Sequence, residues 1–249
     1  MKRPKHLLID GDIVLFKLSF RNEYTIEWAS GPSKVQNLEK ATLDVSSFIR
    51  RLLNKTGCDK YTVCFTNELN FRYGVYPQYK SNRVNSARPD IFPFLKENVQ
   101  RAHPWLSKKY CEADDLIGIL ATREPHRYMA ASIDKDFYSL PVWLYNWSKN
   151  EIKKIPLKLA DYNFHLQWLT GDSGDGYGGC YGIGPKKAAK ILSGNHQVEW
   201  TISVIQAYDC NRIKYTWEDI MAQARMARIL RHEDWDTDKQ EPILWEPII

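Results

Sequence analysis

Four short acidic motifs, each placed where an apolar segment begins or ends, constrain this chain most. They are Asp10-Gly11-Asp12, Glu112-Ala113-Asp114-Asp115, Asp134-Lys135-Asp136 and Asp172-Ser173-Gly174-Asp175. Taken singly, each has an ordinary explanation. Asp-Gly is a common turn, acids in a first helical turn offset the macrodipole, and Asp-rich loops make turns and caps. Four together are different, because a fold that gathers so many carboxylates needs cations to offset their repulsion. Hard divalent cations such as Mg²⁺ take oxygen ligands: a few carboxylates, water and substrate phosphate. The motifs therefore point to metal-dependent chemistry on phosphodiesters.

The rest of the composition agrees with that direction. A chain of 249 residues has room for one large domain, and 43% hydrophobic with 13% aromatic residues supplies a packed core. Five cysteines (Cys58, Cys64, Cys111, Cys180, Cys210) without a CxxC spacing argue against a disulfide framework or zinc site, and for a reducing compartment. The apolar stretch after the basic N-terminus is too short for a signal segment, and no later one is long enough to span a bilayer. The expectation is a cytoplasmic chain without a membrane partner. Net charge is +5. If the motif acids share one metal-loaded pocket, the remaining surface is more basic than that sum, which suits a polyanion. The six histidines are scattered and form no constellation.

Periodicity predicts strands at His6–Asp10, Tyr61–Thr66 and Arg127–Ile133, and a hairpin of Val142–Trp147 with Glu151–Ile155. Helices are expected over Leu38–Leu53, Asp114–Thr122, Leu157–Leu169, Pro185–Leu192, Gln197–Tyr208 and Thr216–Arg231. Such alternation in the first ~140 residues favours a parallel sheet with helices on both faces. Asp10, Asp134 and Asn67 then stand at carboxyl ends of strands, where open α/β sheets bind ligands. The last hundred residues read as a helical cap over that edge. Tyr79–Pro93, with Lys80, Arg83 and Arg88 among Ser, Asn and Pro, reads as an exposed basic segment. Gly182-Ile183-Gly184-Pro185-Lys186-Lys187 is a Gly-x-Gly turn entering a helix with Pro at its first position, offering backbone N–H groups and charge to a phosphate. Such contacts position a duplex without reading its bases.

The order IDGD, YPQYKSNR, EADD, SIDKDFYSL and GDSGDGYGGCYGIGPKKAAKIL resembles the flap endonuclease superfamily of 5′-nucleases, most of all its bacteriophage 5′→3′ exonucleases. The likeness spans nearly the whole chain. It implies an α/β fold: a central, mainly parallel sheet flanked by helices (PIN-like), a helical arch, and a C-terminal helical region with a helix–two-turn–helix element. One 5′-nuclease domain over 1–249 is expected, with a catalytic core at 1–156 (arch about 79–101) and duplex-binding helices at 157–249. By resemblance, Asp10, Glu112 and Asp114 match carboxylates near the tighter metal, and Asp115, Asp134, Asp136, Asp172 and Asp175 those around the second. Tyr79, Lys80 and Arg83 match the arch base that orients the scissile phosphate, and Lys80 and Arg83 carry catalytic charge. Gly182, Gly184, Lys186 and Lys187 match the duplex grip, where relatives bind K⁺ through carbonyls.

The implied cofactors are two Mg²⁺ ions, replaceable by Mn²⁺. The implied reaction is hydrolysis near a DNA 5′ end or flap, leaving 5′-phosphates and extending to RNA–DNA hybrids. A monomer acting with replication proteins in phage DNA replication, primer removal or recombination is the implied setting. Asn67 stands where the family usually has an Asp, and Asp12 is extra and read as a turn residue. A PIN-type ribonuclease shares the acidic strand ends but usually lacks the arch segment and the Gly-Ile-Gly-Pro-Lys-Lys element. A non-catalytic duplex-binding protein of this fold would have lost motif acids.

Overall fold

In the computed structural model, residues 2–83, 88–193 and 197–247 are described. The strands are β1 (His6–Asp10), β2 (Glu23–Trp28), β3 (Gly31–Gln36), β4 (Lys60–Phe65), β5 (Trp105–Ser107), β6 (Tyr128–Ala131), β7 (Trp143–Asn146), β8 (Glu151–Lys154), β9 (Trp235–Asp236) and β10 (Glu241–Pro242). The helices are α1 (Gly11–Asn22), α2 (Leu38–Thr56), α3 (Arg72–Val75), α4 (Phe92–Ala102), α5 (Ala113–Arg123), α6 (Leu157–Thr170), α7 (Pro185–Ile191), α8 (Gln197–Asp209) and α9 (Trp217–Ala227).

The main sheet runs β5-β4-β1-β6-β7-β8, parallel throughout except for the β7–β8 hairpin. This is the mainly parallel, helix-flanked α/β architecture that the motif order implies. Strand alternation sorts its two faces. Leu7 and Ile9 pack with Val14, Leu15 and Leu18 of α1 and with α2 and α4. Leu8, Cys64 and Ala130 pack with Leu116 and Ile117 of α5 and Ala160 of α6. The chain goes from β1 outward to β4 and β5, then returns to β6 on the other side. The reversal of order falls at β1, so Asp10 ends the strand beside which α/β sheets open their ligand crevice.

The antiparallel β8 matters for the last acidic motif. It brings the chain back to the amino edge, and α6, about 21 Å long, climbs again to the carboxyl edge. There Gly171 ends the helix at φ 65° and ψ −174°, a conformation open only to glycine, and the chain turns into Asp172–Asp175.

Three stretches of the chain depart from the sequence expectation. The apolar run after Asp10 forms α1, and residues 23–36 form the β2–β3 hairpin, neither foreseen. Second, the described part of the segment expected over about 79–101 as an arch contains α4. Phe92, Leu95 and Val99 of α4 lie in the core beside α1 and α2, so that helix belongs to the body of the fold. Residues 84–87 of the segment lie outside the described residues. Third, the helix expected over Thr216–Arg231 stops at Ala227. Beyond it, Leu230 N–H donates to Asp115 (3.0 Å) and the Arg228 and Arg231 side chains pair with Asp234 and Asp161 (2.8 Å each). Those tertiary bonds outweigh another helical turn. Among the described residues, no helix is long and apolar enough to cross a membrane.

Candidate active site

The carboxyl edge of the sheet collects side chains from five separate segments. Asp10 closes β1 and caps α1, accepting the Ile13 N–H at 3.3 Å. Ser132, fully buried just past β6, ties two motifs together. Its hydroxyl donates to Asp10 Oδ2 (2.9 Å) and accepts the Asp134 N–H (3.1 Å). Asp134 in turn accepts the Asp136 N–H (2.9 Å), capping the short turn Lys135–Ser139. Lys135 then bridges to Asp172 at 2.8 Å, and the Gly174 N–H holds the other Asp172 oxygen at 2.7 Å.

The basic segment closes the ring from the other side. The Tyr79 hydroxyl lies 2.8 Å from Glu112 and 3.0 Å from Asp175. The Lys80 ammonium donates to Glu112 Oε1, and Arg83 pairs with Asp175 while its Nε donates to the Gly174 carbonyl at 2.9 Å. Lys80 N–H and Asn82 Nδ2 also hold the backbone of the 172–175 loop, at Asp175 and Ser173. Glu112 and Asp114 enter from the first turn of α5. Asp10, Glu112, Asp114, Asp134, Asp136, Asp172, Asp175, Tyr79, Lys80 and Arg83 thus belong to one connected neighbourhood.

Electrostatics mark the same place. Burial, then the Asp12 charge, pushes the Asp10 carboxyl up to about 7. Burial, then Asp134, pushes Asp136 up to about 7, against a hydrogen bond from Gln167 that lowers it. Asp114 and Asp134 are also raised, mainly by burial. Burial would raise Glu112 and Asp172 too. Arg72 and Lys80 outweigh it at Glu112, and Lys135 with the loop amides outweighs it at Asp172, so both sit below the usual range.

These facts bear on a metal. Among the described residues, no three His, Cys, Asp or Glu side chains are placed together so as to hold a metal ion by themselves. Mg²⁺ does not need such a group, since it usually keeps several waters and uses one or two carboxylates plus phosphate. The donors are all carboxylates: Asp10 is buried and Asp114, Asp134 and Asp136 are half-buried, and no salt bridge pairs these four with a cation among the described residues. The residues fit a hard divalent cation.

Residues 5–158 match the family described as 5′-3′ exonuclease, N-terminal resolvase-like domain. The chain belongs to this family. Its relatives include the exodeoxyribonuclease of Enterobacteria phage T3 (25% identity, 97% of this chain, 92% of the relative) and the exonuclease of Escherichia phage T7 (25%, 97% and 93%). In fold, this 5′-3′ exonuclease-family chain is similar to a phage T5 protein co-crystallised with metal ions, with TM-score 0.67, 18% identity, 89% of this chain and 88% of that one. The likeness to phage nucleases of the flap endonuclease superfamily, read above from motif order, therefore holds.

One site expectation for this exonuclease-family chain is corrected by geometry. Asp115 does not face the crevice as a metal ligand. It is 0% exposed, and its oxygens take a bidentate Arg72 guanidinium (2.5 and 2.9 Å) and the Glu112 and Leu230 N–H groups. Asn67, which stands where the family usually has an Asp, accepts the Leu69 N–H on its carbonyl (3.1 Å) and donates its amide to Ser107 (3.1 Å). Asp12 is a tie as well as a turn residue, taking the Thr66 N–H at 2.8 Å and so fixing α1 to the end of β4. Gly182, Gly184, Lys186 and Lys187 lie apart, on the exposed turn into α7, where Gly182 has φ 74° and its carbonyl accepts from Lys187 at 2.9 Å.

Sequence reasoning missed Arg72, Ser132 and Lys135. Only Ser132 and Lys135 had a signal, their adjacency to Asp134.

Two outcomes follow from this geometry. Because Asp10 and Asp136 keep protons near pH 7 that the unfolded chain, near 3.8, has released, chelator-treated protein loses stability as pH rises from about 4 to 7. Thermal melts should show Tm falling from pH 5 to pH 8 without metal, and Mg²⁺ raising Tm more at pH 8. A metal increment equal at both pH values would contradict this. Gly171→Ala should lower stability by about 1–3 kcal/mol, because its Cβ would lie 2.4 Å from backbone atoms of Gly178 and Gly179. Urea unfolding checks it, and an unchanged midpoint would contradict it.

Proposed function

We propose that this chain is a divalent-metal-dependent 5′→3′ exonuclease and flap endonuclease that hydrolyses phosphodiesters near DNA 5′ ends, leaving 5′-phosphates. The observation that carries the reading is the convergence of Asp10, Glu112, Asp114, Asp134, Asp136, Asp172 and Asp175 at one sheet edge with Lys80 and Arg83 among them. These carboxylates would hold two Mg²⁺ ions, or Mn²⁺ in their place. Bound divalent metal supplies a nucleophilic hydroxide at neutral pH and offsets charge on the phosphate, so no histidine base is required.

The chain's own groups account for the rest. Lys80 and Arg83 are donors placed to neutralise developing charge on the scissile phosphate. The Tyr79 hydroxyl, raised far above its ordinary value by burial, stays protonated and fixes Glu112 and Asp175. The α7 turn with Lys186 and Lys187 would grip the duplex, with the Gly182 carbonyl as one candidate K⁺ ligand.

Relatives of the fold support DNA as the substrate. A phage T5 flap endonuclease (TM-score 0.58, 17% identity, 89% of this chain, 84% of that one) was crystallised as a product complex with DNA and metal ions. Extension to RNA–DNA hybrids, a monomeric state, work beside replication proteins and a cytoplasmic setting complete the proposal.

Cleavage mapping tests it directly. Flap, nicked and blunt duplexes labelled at either end should yield short 5′-phosphorylated products from the 5′ side. Products only from the 3′ side, or preferential cutting of single-stranded RNA, would overturn it. Replacing Lys186 and Lys187 together with Ala should weaken duplex binding and reduce the slope of log K against log salt by up to about 1.8, at about 0.9 per lost phosphate contact. An unchanged slope would remove the grip assignment.

A further inference from the structure

Beneath the catalytic edge lies a buried ion pair that adjoins the crevice through Glu112. Arg72, 2% exposed, meets Asp115, 0% exposed, through two hydrogen bonds of 2.5 and 2.9 Å. The pair reaches in both directions. Asp115 Oδ2 accepts the Glu112 N–H (3.0 Å), the amide at the start of the helix that presents Glu112 and Asp114. Asp115 Oδ1 accepts the Leu230 N–H (3.0 Å), and Arg72 Nη2 donates to the Arg228 carbonyl (2.9 Å), both just past the end of α9. The guanidinium also lies 3.7 Å from the Glu112 carboxylate, and 4.6 and 5.9 Å from the ring centres of Phe71 and Tyr79. Tyr79 is itself a donor to Glu112.

Burying such a pair is seldom a source of net stability, because desolvation offsets most of the attraction and apolar residues of similar volume often serve as well. What apolar residues cannot do is hold four backbone and carboxylate groups at fixed angles. Fixing the orientation of metal-binding carboxylates is what outer-sphere hydrogen bonds characteristically do. The arrangement also joins two parts of the chain. The end of α9, which packs on α6 and α3, is hydrogen-bonded to this pair at Arg228 and Leu230, and the pair to the first turn of α5.

We infer that Arg72 and Asp115 form a positioning pair through which the Arg228–Leu230 segment fixes the Glu112 and Asp114 carboxylates for a divalent cation. The inference rests on the proposed role of those two carboxylates as metal ligands. Arg72 and Asp115 act through Glu112 and touch no reacting atom. Losing the pair loosens the first turn of α5 and leaves the α7 duplex grip untouched.

The test is the double variant Arg72→Met/Asp115→Leu, which removes both charges at once and leaves neither buried alone. Three quantities are read: Tm, Mn²⁺ affinity without DNA by electron paramagnetic resonance, and duplex affinity in EDTA at low salt. The expected result is a folded protein with wild-type duplex affinity and Mn²⁺ affinity reduced about 10–100-fold, the usual range for outer-sphere changes. Wild-type Mn²⁺ affinity in the folded double variant would overturn the inference.

If the double variant does not fold, Asp115→Asn keeps the shape and an acceptor for Leu230. The same loss of Mn²⁺ affinity is then expected of it, and unchanged affinity in that folded protein overturns the proposal. If the wild-type protein binds no Mn²⁺, the metal-site reading fails. If wild type binds and the variants bind equally, only the positioning pair fails.

Discussion

Asp134→Ala should reduce cleavage of a 5′-flap duplex by roughly 10²–10³-fold or more, the scale on which a single preorganised electrostatic contact acts, while duplex binding stays measurable. Asp134 stands three residues past β6, in the middle of the connected acids. Its N–H is held by Ser132, which also holds Asp10, and its carboxylate caps the turn carrying Asp136. Alanine removes both the charge and the cap. Asp134→Asn keeps a capping oxygen and removes only the charge, so the two variants separate metal loss from turn loss. Steady-state kinetics with a binding assay in EDTA checks the prediction. Turnover near wild type in either variant would contradict a metal role for Asp134.

Lys80→Ala should lower kcat by about 10²-fold, again on the scale of one transition-state donor, with little change in KM. Lys80 sits at φ 56°, a left-handed conformation uncommon outside glycine, and its N–H is bonded to the Asp175 carbonyl at 2.8 Å. The backbone there is fixed by the 172–175 loop, so alanine inherits the same position and loses only the ammonium on Glu112. Arginine should rescue partially, because its charge is spread over a planar fork rather than concentrated at one point. Single-turnover rates at saturating DNA resolve kcat from binding. A change in KM alone would reassign Lys80 to ground-state binding.

Much of this architecture was legible in the sequence because its signals are local. The strand His6–Asp10 and the Leu38–Leu53 pattern became β1 and α2 with little change. The acidic motifs stood at element boundaries, and strand ends and helix starts of a parallel sheet share one edge, so their convergence followed from topology. What escaped was non-local. Arg72 gave no sign in the sequence that it would pair with Asp115, 43 positions away. Asp115 looked like its neighbours in the EADD run, yet helical geometry turns it from the face of Glu112 and Asp114 into the core. The end of α9 was overestimated because helical periodicity continues to Arg231, whereas hydrogen bonds to Asp115, Asp161 and Asp234 decide where the helix stops. The unforeseen α1 starts at Gly11 just after its cap Asp10, where the four consecutive apolar residues Ile13–Phe16 obscure the helical period.

The central claim is that the acids at the carboxyl edge form one divalent-metal nuclease site. The most direct test is cleavage of a 5′-labelled flap duplex by EDTA-treated protein, before and after titration with Mg²⁺. No cleavage in EDTA, recovery with Mg²⁺ or Mn²⁺, and no recovery in Asp134→Ala is the predicted result. Cleavage at full rate in EDTA, or recovery of Asp134→Ala to the wild-type rate, would contradict it.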